Sequence, residues 1–239
     1  MDIAEVKLLG FDVFGTVVDW RGSVARHAQG FFRAEGISVD PFQFATDWRS
    51  LYQPSMEKIR SGARAWVPLS VLNLENLKLT LAYHGLDVDR FTPESLKEFN
   101  RAWERLDPWP DSVDAIARLK RQYAVTTISN GNIAGMMWLA KYADLRWDAI
   151  LGSEIAQNYK PRPEVYFRSA EVAGLSISET GMVAAHNDDL EAASNCGMKT
   201  LFVFRRKEHG EGQITDLMPE KDWDLVAEDL KDLADQLGC

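Results

Sequence analysis

The stretch that most constrains this chain is Leu8-Leu9-Gly10-Phe11-Asp12-Val13-Phe14-Gly15-Thr16. A short apolar run of this kind, bounded by turn residues, reads as a buried strand. It ends on a carboxylate, a Gly and a Thr. In an open parallel sheet the ends of the strands face a crevice where ligands sit. An Asp there is costly to desolvate, so it needs either a compensating cation or a chemical task.

The downstream pattern shows what sheet this strand joins. From Asp111 onward, β-rich runs alternate with helical spacing. Ala124–Ser129, Ala149–Gly152, Met182–Ala185, Thr200–Val203 and Leu225–Ala227 read as strands. Ile133–Tyr142, the run opened by Pro163 and ended by Gly174, Leu190–Cys196 and a final run through Leu230, Leu233 and Leu237 read as helices. Alternation of this kind predicts an α/β domain, a Rossmann-like parallel sheet with helices on both faces.

Residues 19–99 differ, because nothing in them alternates like a strand. Ser23 is the expected cap of a helix through Phe31 and Phe32 that stops at Gly36. Pro41 opens a second helix carrying Phe42, Phe44, Trp48, Leu51 and Tyr52. A third runs from Leu69 to Gly85, and Thr92-Pro93-Glu94 starts a fourth. The expected organisation is an α/β core of residues 1–18 and 100–239, interrupted by a helical insert of residues 19–99. Glu208-His209-Gly210-Glu211-Gly212 reads as a flexible loop.

A net charge of −9 argues against binding nucleic acid, which needs a basic face. No apolar run approaches the ~18 residues of a membrane span. Met1-Asp2-Ile3-Ala4-Glu5 lacks the layout of a signal peptide. The two cysteines are too few for a disulfide framework or a zinc site, and Cys196, before Gly197, is expected to pack. A cytoplasmic protein is expected.

Three further polar clusters fall at expected strand ends or loops. Ser129-Asn130-Gly131 brings a hydroxyl and an amide; taken alone, these are turn formers. Lys160, in Tyr159-Lys160-Pro161-Arg162-Pro163, precedes a helix, a place where cations are disfavoured, so an anionic partner is expected. His186-Asn187-Asp188-Asp189 follows a buried strand, and helix capping accounts for one Asp but not for the cluster.

Together these clusters resemble the haloacid dehalogenase superfamily over essentially the whole chain, including a helical cap inserted in the expected place. Within it, two positions depart from the phosphatases, which carry a second Asp two residues after the nucleophile and bind Mg²⁺. Phe14 stands at that position, and Ala184 and Ala185 stand where Gly-Asp is common. The pattern is similar instead to the L-2-haloacid dehalogenases, with an aromatic at Phe14, the Ser-Asn-Gly strand end, and Lys-Pro-x-Pro-x-x-Tyr from Lys160 to Tyr166.

The resemblance implies an Asp12 nucleophile that attacks the halogen-bearing carbon of a short 2-haloacid and forms an ester. It implies that Lys160 keeps Asp12 ionised, that Thr16 orients it, and that Ser129 with the N–H groups of Val13 and Phe14 grips the substrate carboxylate. Arg49, on the second cap helix, and Asn130 receive the halide. Asp189 and Lys160 help water to open the ester, and Tyr166 orients Asp12, Lys160 or substrate. No cofactor and no metal are implied, and the partners are a 2-haloacid and halide. A homodimer is common in the family, and the aromatic-rich cap could supply an apolar patch.

His186 and Asp188 replace an Asn and an aromatic found in many members. His186 either assists the hydrolytic water or serves as a hydrogen-bonding spacer. Asp188 either makes the pocket more polar or points outward. Trp66 lines the pocket or packs in the cap core, and His27, His84 and His209 have no catalytic context. The rival functions are another superfamily hydrolase, such as a phosphatase, and a non-catalytic binding member.

Overall fold

A computed structural model of the protein describes residues 3–239. The first strand, β1 (Leu8–Phe11), is buried along its whole length. A short strand, β2 (Val18–Asp19), leads into the helical insert: α1 (Trp20–Glu35), α2 (Pro41–Ser50), α3 (Tyr52–Arg60), α4 (Leu69–Tyr83) and α5 (Pro93–Asn100). The chain returns through β3 (Asp107–Pro108), which pairs antiparallel with β2. This two-stranded ribbon marks where the chain leaves the α/β layer and re-enters it.

The α/β part then follows in order: α6 (Ser112–Leu119), β4 (Ala124–Ser129), α7 (Ile133–Tyr142), β5 (Ala149–Gly152), α8 (Ser153–Ala156), α9 (Pro163–Val172), β6 (Thr180–Ala184), α10 (Asn187–Cys196), β7 (Lys199–Val203), β8 (Leu225–Ala227) and α11 (Leu230–Gln236). Its sheet has six strands in the order β5-β4-β1-β6-β7-β8, and every pair in it is parallel.

Alternation along the strands feeds two cores, as successive side chains of a strand point to opposite faces. Met182, Ala184 and Phe202 pack with Val165 and Tyr166 of α9 and Leu190 and Ala193 of α10. Leu9, Phe11, Val183 and Leu201 join Ile116 and Leu119 of α6 and Leu230 and Leu233 of α11. β1 is the switch point, with β4 on one side and β6 on the other; Phe11 lies opposite both Thr127 and Val183. Asp12 follows directly, at the carboxyl end where such sheets open a crevice.

Several local expectations change. Asp19, not Ser23, caps α1, accepting from Gly22 N–H, because the helix starts four residues earlier than its apolar spacing suggests. Ser23 lies inside the helix, where its Oγ accepts from Asp107 N–H on the return strand. The expected second helix breaks at Leu51 into α2 and α3. α10 opens at Asn187, earlier than Leu190. The aromatic side chains of the cap are largely turned inward: Phe31, Phe32, Phe44, Trp48 and Phe99 stack on one another. Its exposed apolar side chains are instead Phe42, Val71, Leu79 and Tyr83. Trp66 packs against Tyr159. Among the described residues, no helix is long and apolar enough to cross a membrane.

Candidate active site

Asp12 lies at the floor of a cavity of about 1100 Å³ between the sheet and the helical insert. Its carboxylate is bound on two sides. Oδ1 accepts from Lys160 Nζ at 2.9 Å. Oδ2 accepts from Thr16 Oγ1 at 2.8 Å and faces His186 Nδ1 at 3.1 Å. Thr16 can aim its proton only one way, because its oxygen already accepts from Ala185 N–H at 2.9 Å. Burial alone would raise the Asp12 pKa. The charges of Lys160 and His186, with their hydrogen bonds, outweigh it and hold the carboxyl far below the usual carboxylate range.

Lys160, just before α9, meets two carboxylates: Asp12, and Asp189 in the first turn of α10. Burial would lower its pKa, but the two anions raise it above that of an ordinary lysine, so it stays charged. Asp189 also accepts from Tyr166 Oη at 2.7 Å. The phenol therefore orients Asp189, rather than Asp12 or Lys160, and also lines the cavity. Burial, with the nearby Asp12 charge, raises the Asp189 pKa despite Lys160. The two carboxylates thus differ in basicity, with Asp189 the stronger base.

Asn130 Oδ1 accepts from Lys160 N–H at 2.8 Å and from Ser153 Oγ at 2.9 Å, which leaves Nδ2 for a ligand. Ser153 comes this close because residue 152 is Gly: its φ is +121°, and a Cβ there would sit 2.3 Å from the Ser129 carbonyl oxygen. Ser129 is fully buried, its Oγ accepting from Gly131 N–H. The N–H groups of Val13 and Phe14 find no acceptor among the described residues.

Arg49, on α2, reaches the same cavity. Its guanidinium carbon lies 3.8 Å from the centroid of Tyr52 and within 6 Å of those of Phe14, Trp20 and Trp103. Its Nη1 is buried and has no hydrogen-bond partner among the described residues. A buried charged donor left unpaired is costly, and an anion placed in the ring cage would satisfy it. Asp188 is exposed and lines the same cavity, its carboxylate accepting from Asp189 N–H, so it adds a polar group to the cavity wall.

The largest correction concerns Glu208, expected in a flexible loop. It is 2% exposed. Its Oε2 pairs with His186 Nε2 at 2.8 Å, and Oε1 accepts from Trp20 Nε1 at 2.8 Å. His186 therefore lies between two carboxylates. Burial disfavours its charge, but Glu208 and Asp12 prevail and raise its pKa well above 6.5. His209 also borders the cavity, against the Trp20 ring and 3.6 Å from Glu208 Oε1. Neither was legible as a site residue, since Glu208 opens a Gly-rich run that reads as solvent-exposed. His84 pairs with Asp47 and His27 with the Arg105 carbonyl, both away from the cavity.

The donors do not suit Mg²⁺, which wants near-octahedral oxygen ligation. Phe14, Ala184 and Ala185 supply no side-chain oxygen, and Lys160 already bridges Asp12 and Asp189. Among the described residues, no group of three or more His, Cys, Asp or Glu is placed to hold a metal ion.

With this geometry established, comparison with known proteins is informative. The family model of the haloacid dehalogenase-like hydrolases matches residues 6–197. The (S)-2-haloacid dehalogenase of Pseudomonas fluorescens is 27% identical over 199 residues, covering 82% of this chain and 83% of that enzyme. The crystal structure of the defluorinating L-2-haloacid dehalogenase Rha0230 superposes with a TM-score of 0.97 at 44% identity, over 98% of this chain and 96% of that one. That of the L-2-haloacid dehalogenase PA0810 gives 0.93 at 38% identity, over 98% and 99%.

Proposed function

The chain belongs to the haloacid dehalogenase-like hydrolases, in their L-2-haloacid dehalogenase branch, and on that premise we propose that it replaces the halogen of short 2-haloalkanoic acids by hydroxyl through an ester on Asp12. One observation carries this reading. A buried carboxylate, kept ionised by Lys160, shares a cavity with a buried arginine N–H group that has no partner. The first is what a nucleophile needs, and the second is what a departing halide needs.

Asp12 attacks the carbon from the side opposite the C–X bond, so configuration inverts. Arg49 and the free Nδ2 of Asn130 stabilise the charge growing on the halogen, where fixed donors act most strongly. The substrate carboxylate is held by Ser129 and by the N–H groups of Val13 and Phe14. Water then attacks Cγ of Asp12, with Asp189 as the general base. The 2-hydroxyacid leaves, and one proton and one halide are released per turnover.

Halide release from L-2-chloropropionate and chloroacetate in EDTA tests the proposal, with p-nitrophenyl phosphate and Mg²⁺ as the rival assay. Phosphate release without halide release overturns it. A single turnover in heavy-oxygen water must place label in the Asp12 carboxylate; label found only in the product refutes the ester.

A further inference from the structure

Two of the donors to Asp12 converge on one oxygen. Thr16 Oγ1–H and His186 Nδ1 both meet Oδ2, while among the described residues Lys160 alone meets Oδ1. Oδ1 is therefore the oxygen with lone-pair room to attack carbon, and Oδ2 becomes the carbonyl oxygen of the ester. When water adds to Cγ, negative charge develops on Oδ2, between a hydroxyl donor and an imidazole ring.

The far side of that ring is also built. Nε2 meets Glu208 Oε2, and the other carboxylate oxygen is pinned by Trp20 Nε1. Glu208 approaches so closely only because residue 15 is Gly: a Cβ there would lie 2.1 Å from Oε1. Glu208 is a buried carboxylate whose shortest contact with a charged cavity group is this imidazole, His209 standing farther off at 3.6 Å from Oε1.

We propose that the ion pair His186–Glu208 is the oxyanion-stabilising element of ester hydrolysis, His186 donating with Thr16 to Oδ2 and Glu208 acting as its positioning residue. This rests on the ester reading above and assigns a separate duty to each half of the reaction. In the first half, a cation at Oδ2 gives no help, since it withdraws charge from the nucleophile. In the second, it stabilises charge that appears only after water has added. The atoms balance without a further reactant. Water's oxygen bonds to Cγ and one of its protons passes to Asp189. The Cγ–O bond to the substrate carbon breaks, and the departing alkoxide takes up the remaining proton. The proton on Asp189 then goes to solvent, and His186 keeps its own throughout.

The test separates the halves by rapid quench with chloroacetate, reading halide and the intact mass of the protein. The expected result for Glu208→Gln and His186→Leu is a full first equivalent of halide, an accumulated carboxymethyl ester on Asp12, and ester hydrolysis slowed ~10²–10³-fold, the loss typical of one oxyanion donor. His186→Asn, a neutral donor of similar reach, is expected to recover part of that loss. Two results overturn the proposal: burst and turnover falling together in Glu208→Gln, or His186→Asn as slow as His186→Leu, which would make the imidazole a base. A wild-type protein that releases no halide overturns the dehalogenase reading itself, whereas a wild type that releases halide while neither variant accumulates ester overturns only this assignment.

Discussion

Replacing Arg49 with Met separates what the guanidinium does for stability from what it does for chemistry. In the free protein Nη1 is buried with no partner, a cost of about 1–3 kcal/mol. The Tyr52 ring, 3.8 Å from the guanidinium carbon, returns up to roughly 2 kcal/mol as a desolvated cation–π contact. The two nearly cancel, so Arg49→Met is expected to change folding stability by less than about 1 kcal/mol, Met being unbranched and able to fill the space between the rings. Turnover is expected to fall about 10²–10³-fold, as for loss of a donor aimed at developing charge. Halide binding gives an independent readout. At bromide 100-fold above its Kd, linkage stabilises the wild type by about 2.7 kcal/mol. For a chain of this size that is a rise of ~5–10 °C in Tm. The variant should show none of it. Equal bromide shifts in both proteins, or a variant that keeps its turnover, would refute the assignment of this cage to the halide.

Other consequences follow from the same contacts. Tyr166→Phe removes the only side-chain donor to the Asp189 carboxylate besides Lys160 among the described residues; a hydrogen bond to a charged group is worth about 1.5–3 kcal/mol, so kcat is expected to drop ~10–100-fold with KM little changed in steady-state assays. Gly15→Ala places a side chain at φ +94° and against the Glu208 carboxylate; urea unfolding should show a loss of at least about 1 kcal/mol. Stability is expected to fall at both ends of the pH range in thermal melts. Burial opposes ionisation of Asp12, Asp111 and Glu208, but Lys160, Arg205 and His186 beside them hold their pKa values below ordinary ones, so their contribution is complete above the unfolded values near 4 and is lost as pH falls. Asp189, raised, works against this trend. His186 is raised, so its contribution is complete below 6.5 and is lost as pH rises through its folded value; His186→Asn should flatten that alkaline limb.

The parallel sheet was legible because its strands are short apolar runs set between helical periods, a signal that depends only on local spacing. Asp12, Lys160 and Asp189 were legible for a related reason: each is a charge adjoining a buried run, where burial without a partner is expensive. Element starts were less so. Asp19 and Ser23 are both good caps, and the choice between them depends on the return strand that takes up the Ser23 hydroxyl. Tyr166 could be placed near the site but not assigned to Asp189, since that pairing depends on how α9 lies against α10. Glu208 had no local signal. Its burial is set by Trp20, 188 residues earlier in the chain, and by the space at Gly15, and nothing in Glu-His-Gly-Glu-Gly distinguishes such a carboxylate from a solvated one.

The charges around the cavity floor also bear on the order of events. Asp12, Asp189 and Glu208 face Lys160, His186 and Arg49, three anions against three cations, although the chain as a whole carries −9. In the proposed reaction a 2-haloacid would bring one uncompensated negative charge into this balanced set. Alkylation neutralises Asp12 but creates a halide ion, so the excess persists. Only when the halide leaves do three anions (Asp189, Glu208 and the ester's own carboxylate) again match three cations. Two like charges roughly 5 Å apart cost about 3 kcal/mol at an effective dielectric of 20, enough to favour halide departure before water adds. On the proposed route, hydrolysis would then build its oxyanion in a cavity already relieved of one negative charge, beside an imidazolium whose charge no longer has Asp12 to balance.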